Sequence, residues 1–448
     1  MKWRCAVGLL LAVAVSSAAA ADVRYLLRVS STNLDPVAER HGLTVVGAVE
    51  EPSGELYLVN GPDNTSLELV ASDEDVIAVE EVVEVMLPEI PDADYGASPT
   101  PLITALGNPN LVDYFGDLAW VGYVEQAAGD VIRGDEVRSL ATGDGVVVAV
   151  IDTGIDPHHV LLKNWLVEGY DFLHNEPGFA SEWLELPPGP SGELQKPVWP
   201  IVDPEEEVDV LMLNQSVAWI LEQSVAWILE GYDVPGAFGH GTMASGIVHL
   251  AAPEARIMPL KAFTSEGYAE TDDIVRAIYF AVDNGADVIN MSFSTDTFSP
   301  EMMRAVNYAM RNGVVCVASA GNSGKQVLVY PAALGSTVGV ASTSMIDERS
   351  VFSNYGDDLV TLAAPGEAIV TTFPGGAAYA AGWGTSFSGP LVTGTIALQL
   401  ELIADETSPE GVHYLVLDGL AEAEPLTDPG LGYGRLDAAR AVQEIDDE

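Results

Sequence analysis

The chain is short of positive charge. Its 448 residues carry 18 Lys and Arg against 67 Asp and Glu, a formal net charge of −49. Nucleic-acid phosphates are held by Lys and Arg, so a nucleic-acid partner is excluded, and anionic membrane surfaces are disfavoured. Cysteine is equally scarce, with Cys5 and Cys316 alone, which excludes a small scaffold built on disulfides. Nowhere does an uninterrupted apolar run reach the roughly 18 residues of a membrane span. Gly and Pro, at 43 and 27, are too few for a collagenous or disordered chain. What is plentiful is apolar side chain, 48% of residues, enough for a large core in a chain whose length allows two or three domains.

Residues 1–21 read as a secretory signal peptide. Lys2 and Arg4 make a positive start, Ala6 to Val15 is apolar, and Ala18-Ala19-Ala20 fits a small-x-small cleavage site. Export places the mature chain outside the cytoplasm, extracellular or periplasmic, with no membrane span once the signal is removed. Cys5 would leave with the signal, so Cys316 has no partner for an internal disulfide. It lies in the apolar run Val314 to Ala318, where a buried, inert thiol is expected.

Residues 22–90 form a first unit. Its order of strand, helix, strand, strand, helix, strand is read from β-rich runs at Tyr25 to Val29, Leu43 to Val49, Glu55 to Val59 and Val76 to Met86, and from capped helical stretches at 33–40 and 65–71. This predicts a small α+β, ferredoxin-like domain. A linker at 91–112, with Pro91, Pro99 and Pro101, separates it from a second unit at 113–445. There, short buried-strand runs alternate with helical segments, predicting an α/β fold with a doubly wound parallel sheet in three layers. An irregular insertion spans about 173–236. Within it Gln215 to Glu222 is repeated as Gln223 to Glu230. An even period keeps like side chains on one strand face, so extended structure is favoured there.

Three short segments carry chemistry-bearing residues. Val146 to Asp152 is a strand ending in Asp152-Thr153-Gly154, Gly239-His240-Gly241-Thr242 opens a helix, and Gly384-Thr385-Ser386 opens another. Each alone has a bland reading: a turn aspartate, a solvated histidine, a helix cap. In this order, with Ala320-Gly321-Asn322 and Ile289-Asn290-Met291-Ser292 between the last two, they resemble the subtilisin-like serine peptidases. Leu431 to Ala438 is similar to the segment that closes that family's domain, and the likeness runs from about Asp113 to Val442. The first unit is similar to the family's inhibitor-like propeptide.

The resemblance implies a secreted serine endopeptidase, made as a zymogen, that hydrolyses polypeptides through an acyl-enzyme. Ser386 would attack, His240 would carry the proton and Asp152 would hold the imidazole, while Asn322 would donate to the oxyanion. Ser292, Phe293 and Ser294 would line the substrate cleft. Val329-Tyr330-Pro331 is expected at the border of the specificity pocket, where no acidic residue stands. The chain's own propeptide would chaperone folding and block the cleft. No cofactor is required for the reaction, and a structural calcium ion is possible but has no assigned site.

The chain departs from the family pattern in three places. The 88 positions between Asp152 and His240 are long because of the insertion, which is expected near the cleft rim. Phe387-Ser388 follows Ser386 where Met-Ala is commoner, and Ser294 stands where Gly is usual. A competing reading is a non-catalytic binding protein that keeps the fold, motivated by the Trp-bearing insertion. An esterase is disfavoured because the Gly-x-Ser-x-Gly elbow is absent. His158 and His159 read as an exposed loop pair, and Asp203 to Asp209 as a solvated acidic loop.

Overall fold

The computed structural model describes residues 22–62, 65–87, 110–185, 210–214, 217–221, 235–403 and 407–447. The chain divides into two compact units. The first closes at Val82, and the second comprises Glu50–Pro52 and everything from Val83 onward.

The first unit is built from β1 (Asp22–Val29), α1 (Leu34–His41), β2 (Thr44–Ala48), β3 (Leu56–Pro62), α2 (Leu67–Ala71) and β4 (Val76–Glu81). Alternate residues Tyr25, Leu27 and Val29 of β1 enter one core with Val37, Val59 and Val70, as the two-residue period of a strand requires. Helix α1 stops at Gly42, whose left-handed φ of 66° lets its N–H close on Ala38 O. The antiparallel sheet has the order β2-β3-β1-β4. That is the split βαβ arrangement predicted from the sequence.

In the second unit the chain runs through β5 (Glu84–Met86), the hairpin β6 (Leu111–Tyr114) and β7 (Asp117–Trp120), β8 (Val147–Asp152), β9 (Gly169–Asp171) and β10 (Glu176–Gly178). It continues through β11 (Val210–Asn214), β12 (Val217–Leu221), α3 (His240–Ala251), β13 (Arg256–Lys261), β14 (Tyr268–Glu270), α4 (Thr271–Asp283), β15 (Val288–Met291), α5 (Pro300–Arg311), β16 (Val315–Ser319), β17 (Thr337–Thr343) and β18 (Leu362–Pro365). Last come β19 (Ile369–Phe373), β20 (Ala378–Gly382), α6 (Thr385–Leu402), α7 (Pro409–Ala421) and α8 (Ala438–Asp447).

Eight strands make the main sheet in the order β10-β9-β13-β8-β15-β16-β17-β18, parallel throughout except for β10. Its central strands are buried on both faces, which is why they read as unbroken apolar runs. Val148 and Val150 of β8 share a core with Met243 and Ile247 of α3 and Leu391 of α6. Ala149 and Ile151 therefore face the opposite layer, where α4 packs against β8 and β13 and α5 against α4 and β16. This is the three-layer α/β fold expected.

The first copy of the octapeptide supplies β12. It pairs with β11 and, at Trp219 and Ile220, with Ala381 and Ala380 of β20. Extended structure is thus observed for that copy, and the second lies outside the described residues. The topology fixes the place of the chemistry. Strands β8, β15 and β16 are adjacent and parallel, so Asp152, Ser292 and Asn322, at or just beyond their carboxyl ends, emerge along one edge of the sheet.

Candidate active site

Asp152 is the last residue of β8 and His240 the first of α3, and both are buried. Two glycines let their loops meet. An added Cβ on Gly241 would come within 2.1 Å of Gly154 O, and one on Gly154 within 2.4 Å of Ala180 O. With bare backbone at both points, His240 Nδ1 reaches Asp152 Oδ1 at 2.8 Å and Oδ2 at 2.9 Å. The Thr153 N–H also donates to Asp152 Oδ1, at 2.7 Å. Burial alone would lower the imidazole pKa. The Asp152 charge and hydrogen bond, helped by the charge of Glu182, reverse this and hold His240 above the ordinary value of 6.5.

Ser386 lies in the first turn of α6, next to Phe387, whose ring meets the His240 ring edge-on at 6.2 Å between centroids. The Ser386 hydroxyl donates to Ser292 O at 3.2 Å rather than to the imidazole. Pro390 has no N–H to give Ser386 O, the helical acceptor four residues back, and the Ser292 hydroxyl donates there instead, at 3.1 Å. Ser319 Oγ likewise donates to Thr385 O at 3.0 Å. The helix start that carries Ser386 is thereby tied to the ends of β15 and β16. Asn322 Oδ1 accepts from Thr385 N at 2.9 Å and Thr385 Oγ1 at 2.8 Å, which fixes which end of its amide is the Nδ2 donor. A Ser N–H in a first helical turn, an amide donor beside it and a carboxylate-held imidazole are the parts that acyl transfer needs.

Sequence reasoning missed one buried group here. Glu182, at the head of a short 3-10 turn, is fully enclosed. It accepts from Thr153 Oγ1 and Thr242 Oγ1, each at 2.5 Å, and from Gly241 N at 3.2 Å. Lys261, also buried, donates to Thr153 O at 2.5 Å and Phe263 O at 3.0 Å. No local motif marks Glu182, because it lies in the irregular insertion. Ile155 N donates to Ala180 O and Ile155 O accepts from Glu182 N, which ties this stretch to the loop after Asp152.

The Subtilase family model matches residues 143–434 of this chain, the stretch that contains all of these groups. The chain is a subtilase. It is 30% identical over 342 residues to the thermophilic serine proteinase of Bacillus sp. strain AK1, covering 71% of this chain and 69% of that one. It is 28% identical over 322 residues to thermitase of Thermoactinomyces vulgaris, covering 70% and 94%. The fold matches fervidolysin of Fervidobacterium pennivorans with a TM-score of 0.65 at 20% identity, covering 95% of this chain and 62% of that one. Relatives named as extracellular and as intracellular proteases both occur among its matches. The subtilase is accordingly a serine endopeptidase acting on polypeptides, and no helix among the described residues is long and apolar enough to cross a membrane.

Several of the residues singled out in the sequence are buried. The side chains of Ser292 and Phe293 face inward: Ser292 serves Ser386 O, and Phe293 packs on Phe263 at 5.0 Å. Ser294 pairs antiparallel with Met86. His159 is buried rather than exposed. Its Nε2 meets Ala378 O at 3.0 Å and its Nδ1 accepts Leu161 N, so the loop folds inward to satisfy those backbone groups, while His158 stays exposed. Cys316 is buried and its thiol is pushed up to about 12 by burial. The acidic stretch 203–209 lies outside the described residues. Among those described, no group of three or more His, Cys, Asp or Glu is arranged to hold a metal ion.

Proposed function

We propose that this subtilase is a secreted zymogen whose catalytic line is Asp152, His240 and Ser386, with Asn322 and the Ser386 N–H as oxyanion donors. The observation that carries the reading is the pair of contacts from one imidazole nitrogen to both Asp152 oxygens, which leaves Nε2 as the proton-accepting end. On substrate binding the Ser386 hydroxyl turns from Ser292 O to Nε2, a tightening common when an unliganded site fills. His240 takes the hydroxyl proton as Oγ adds to the peptide carbonyl, and Asp152 stabilises the imidazolium. The carbonyl oxygen, now anionic, accepts from Asn322 Nδ2 and Ser386 N. His240 then gives its proton to the leaving amine, and water repeats the sequence on the acyl-enzyme. These steps draw on the chain's own groups; a structural calcium site is not assigned.

The zymogen part is supported by the segment that follows the first unit in sequence. Residues 84–86 pair antiparallel with β14, Val85 and Leu87 are buried, and Met86 pairs with Ser294 of the cleft strand. An extended chain already lies where a substrate strand would add to the edge. Cleavage in the stretch after it, between about Glu89 and Asp113, would release residues 22–90 as a product-like inhibitor. Edman sequencing of the secreted, active protein tests this. The expected start falls in that stretch, and an active chain starting at Asp22 refutes it. In the same preparation Ser386→Ala is expected to leave the precursor uncut.

A further inference from the structure

The buried carboxylate beneath the two catalytic loops is in none of the steps above, yet its surroundings are unusually complete. Glu182 is 1% exposed, and three donors converge on it. All three come from residues beside the proposed catalytic pair: Thr153 follows Asp152, and Gly241 and Thr242 follow His240. A buried carboxylate is costly unless hydrogen-bonded and balanced by charge. Here Lys261 of β13 supplies the positive charge, and Asp152 of β8 and His240 of α3 are the other charged or titratable groups acting on it. Asp156, on the same loop as Thr153, is engaged elsewhere, accepting from the N–H groups of His158, Gly375 and Gly376.

Each threonine hydroxyl bridges Glu182 and a backbone N–H of the facing loop. Thr153 Oγ1 already accepts from Gly241 N at 3.0 Å, and Thr242 Oγ1 from Asp156 N at 2.8 Å. A hydroxyl has one hydrogen. Both threonines spend theirs on Glu182, one on each carboxylate oxygen, so the arrangement calls for an acceptor at both ends. An ionised carboxylate accepts at both ends and so suits two hydroxyl donors. Because the threonines also accept from the facing loops, the four groups make one closed clamp across the junction of the β8 turn and the start of α3. Trp183, the next residue, packs edge-on against Phe238 at 5.4 Å, two residues before His240, and fastens the clamp from the other side.

We propose that Glu182 is a positioning residue of this peptidase: its carboxylate locks the Asp152 loop to the first turn of the His240 helix and adds negative charge behind the imidazole. The proposal rests on the assignment of Asp152 and His240 to the catalytic line. Two opposing influences act on the group. Burial raises the Glu182 carboxyl to about 7, against the pull of its two threonine hydroxyls and Lys261.

The test is Glu182→Gln in the full chain, processed as the wild type is, with kcat and KM measured per folded molecule from pH 5 to 9. The expected result is a loss in kcat of about 10- to 100-fold, with KM held within about twofold. Removing a negative charge near the imidazole also disfavours imidazolium. The acid limb of kcat/KM should therefore move to lower pH by about half a unit. Glu182→Asp, which keeps the charge, should restore the limb to its wild-type position. A merely structural Glu182 would lower the melting temperature and leave the limb in place, and that result, or wild-type kcat, overturns the proposal. If Glu182→Gln is not recovered folded, Thr153→Val and Thr242→Val each remove one donor and leave the charge. Each should then lower kcat several-fold at constant KM, and wild-type kcat in both overturns the proposal. A wild-type chain that turns over no peptide and is not labelled at Ser386 would instead remove the catalytic assignment, and this proposal with it. Active wild type with an unaltered Glu182→Gln removes this proposal alone.

Discussion

The two edges of the eight-stranded sheet both gather carboxylates, and they use them differently. At the amino edge a cavity of about 380 Å³ is lined by Asp144, Asp287, Asn312 and Glu401 among others. There Glu401 Oε2 accepts the N–H groups of Thr142, Gly143 and Asp144, and Asp287 Oδ2 accepts that of Val147. Those acids cap backbone. At the carboxyl edge Asp152 is bonded to a buried imidazole, and a hydroxyl and an amide stand at the neighbouring strand and helix ends. What marks the carboxyl edge is a buried imidazole held by a carboxylate, with a hydroxyl and an amide close by.

If that contrast is right, substitutions at the two edges separate turnover from stability. Ser386→Ala, cut in trans by wild-type enzyme, should show the largest effect, a loss in kcat of about a millionfold with melting unchanged; the figure is that of subtilisin itself, a relative. Asn322→Ala comes next, with kcat down about 100- to 1000-fold and KM little altered, again the size known for the corresponding donor in subtilisin. At the other edge Glu401→Ala should leave kcat at the wild-type value while costing about 1–3 kcal/mol in urea unfolding, since three backbone N–H groups lose their acceptor. Lost turnover in Glu401→Ala with intact stability would erase the distinction.

Much of the second unit was legible because its signals are local. Unbroken β-branched runs gave the parallel strands, and α6 begins where the pattern placed it, at Thr385. The residues proposed for the catalytic line were legible as motifs because the glycines that permit close approach sit beside them in sequence. Glu182 was not, since its three donors come from segments 29 to 60 positions away and nothing near it repeats or alternates. Nor was the inward use of Ser292, which answers a carbonyl orphaned by Pro390, 98 positions on. The burial of His159 depends on β20, a strand the sequence pattern did not signal.

The smallest expected effect concerns stability in acid. Burial lowers His249 to about 3 and also lowers His159. A histidine with a depressed folded-state pKa favours the native state above its unfolded value of about 6.5 and withdraws that stability as pH falls toward the folded value. Stability should therefore decline from about pH 6.5 toward pH 3. His249→Phe keeps an aromatic ring against Tyr114 and Trp165, which lie 5.6 and 5.9 Å away, and should flatten part of that slope. An unaltered slope in urea titrations across this range would show that His249 does not contribute.

The most direct measurement is to locate a fluorophosphonate adduct by mass spectrometry and follow its rate of formation with pH. The meeting of Asp152, His240 and Ser386 predicts one adduct, on Ser386, whose rate rises through a pKa above 6.5 and collapses in His240→Ala. An adduct on another residue, or labelling of Ser386 that is flat from about pH 5 to 9 and indifferent to His240, would contradict it.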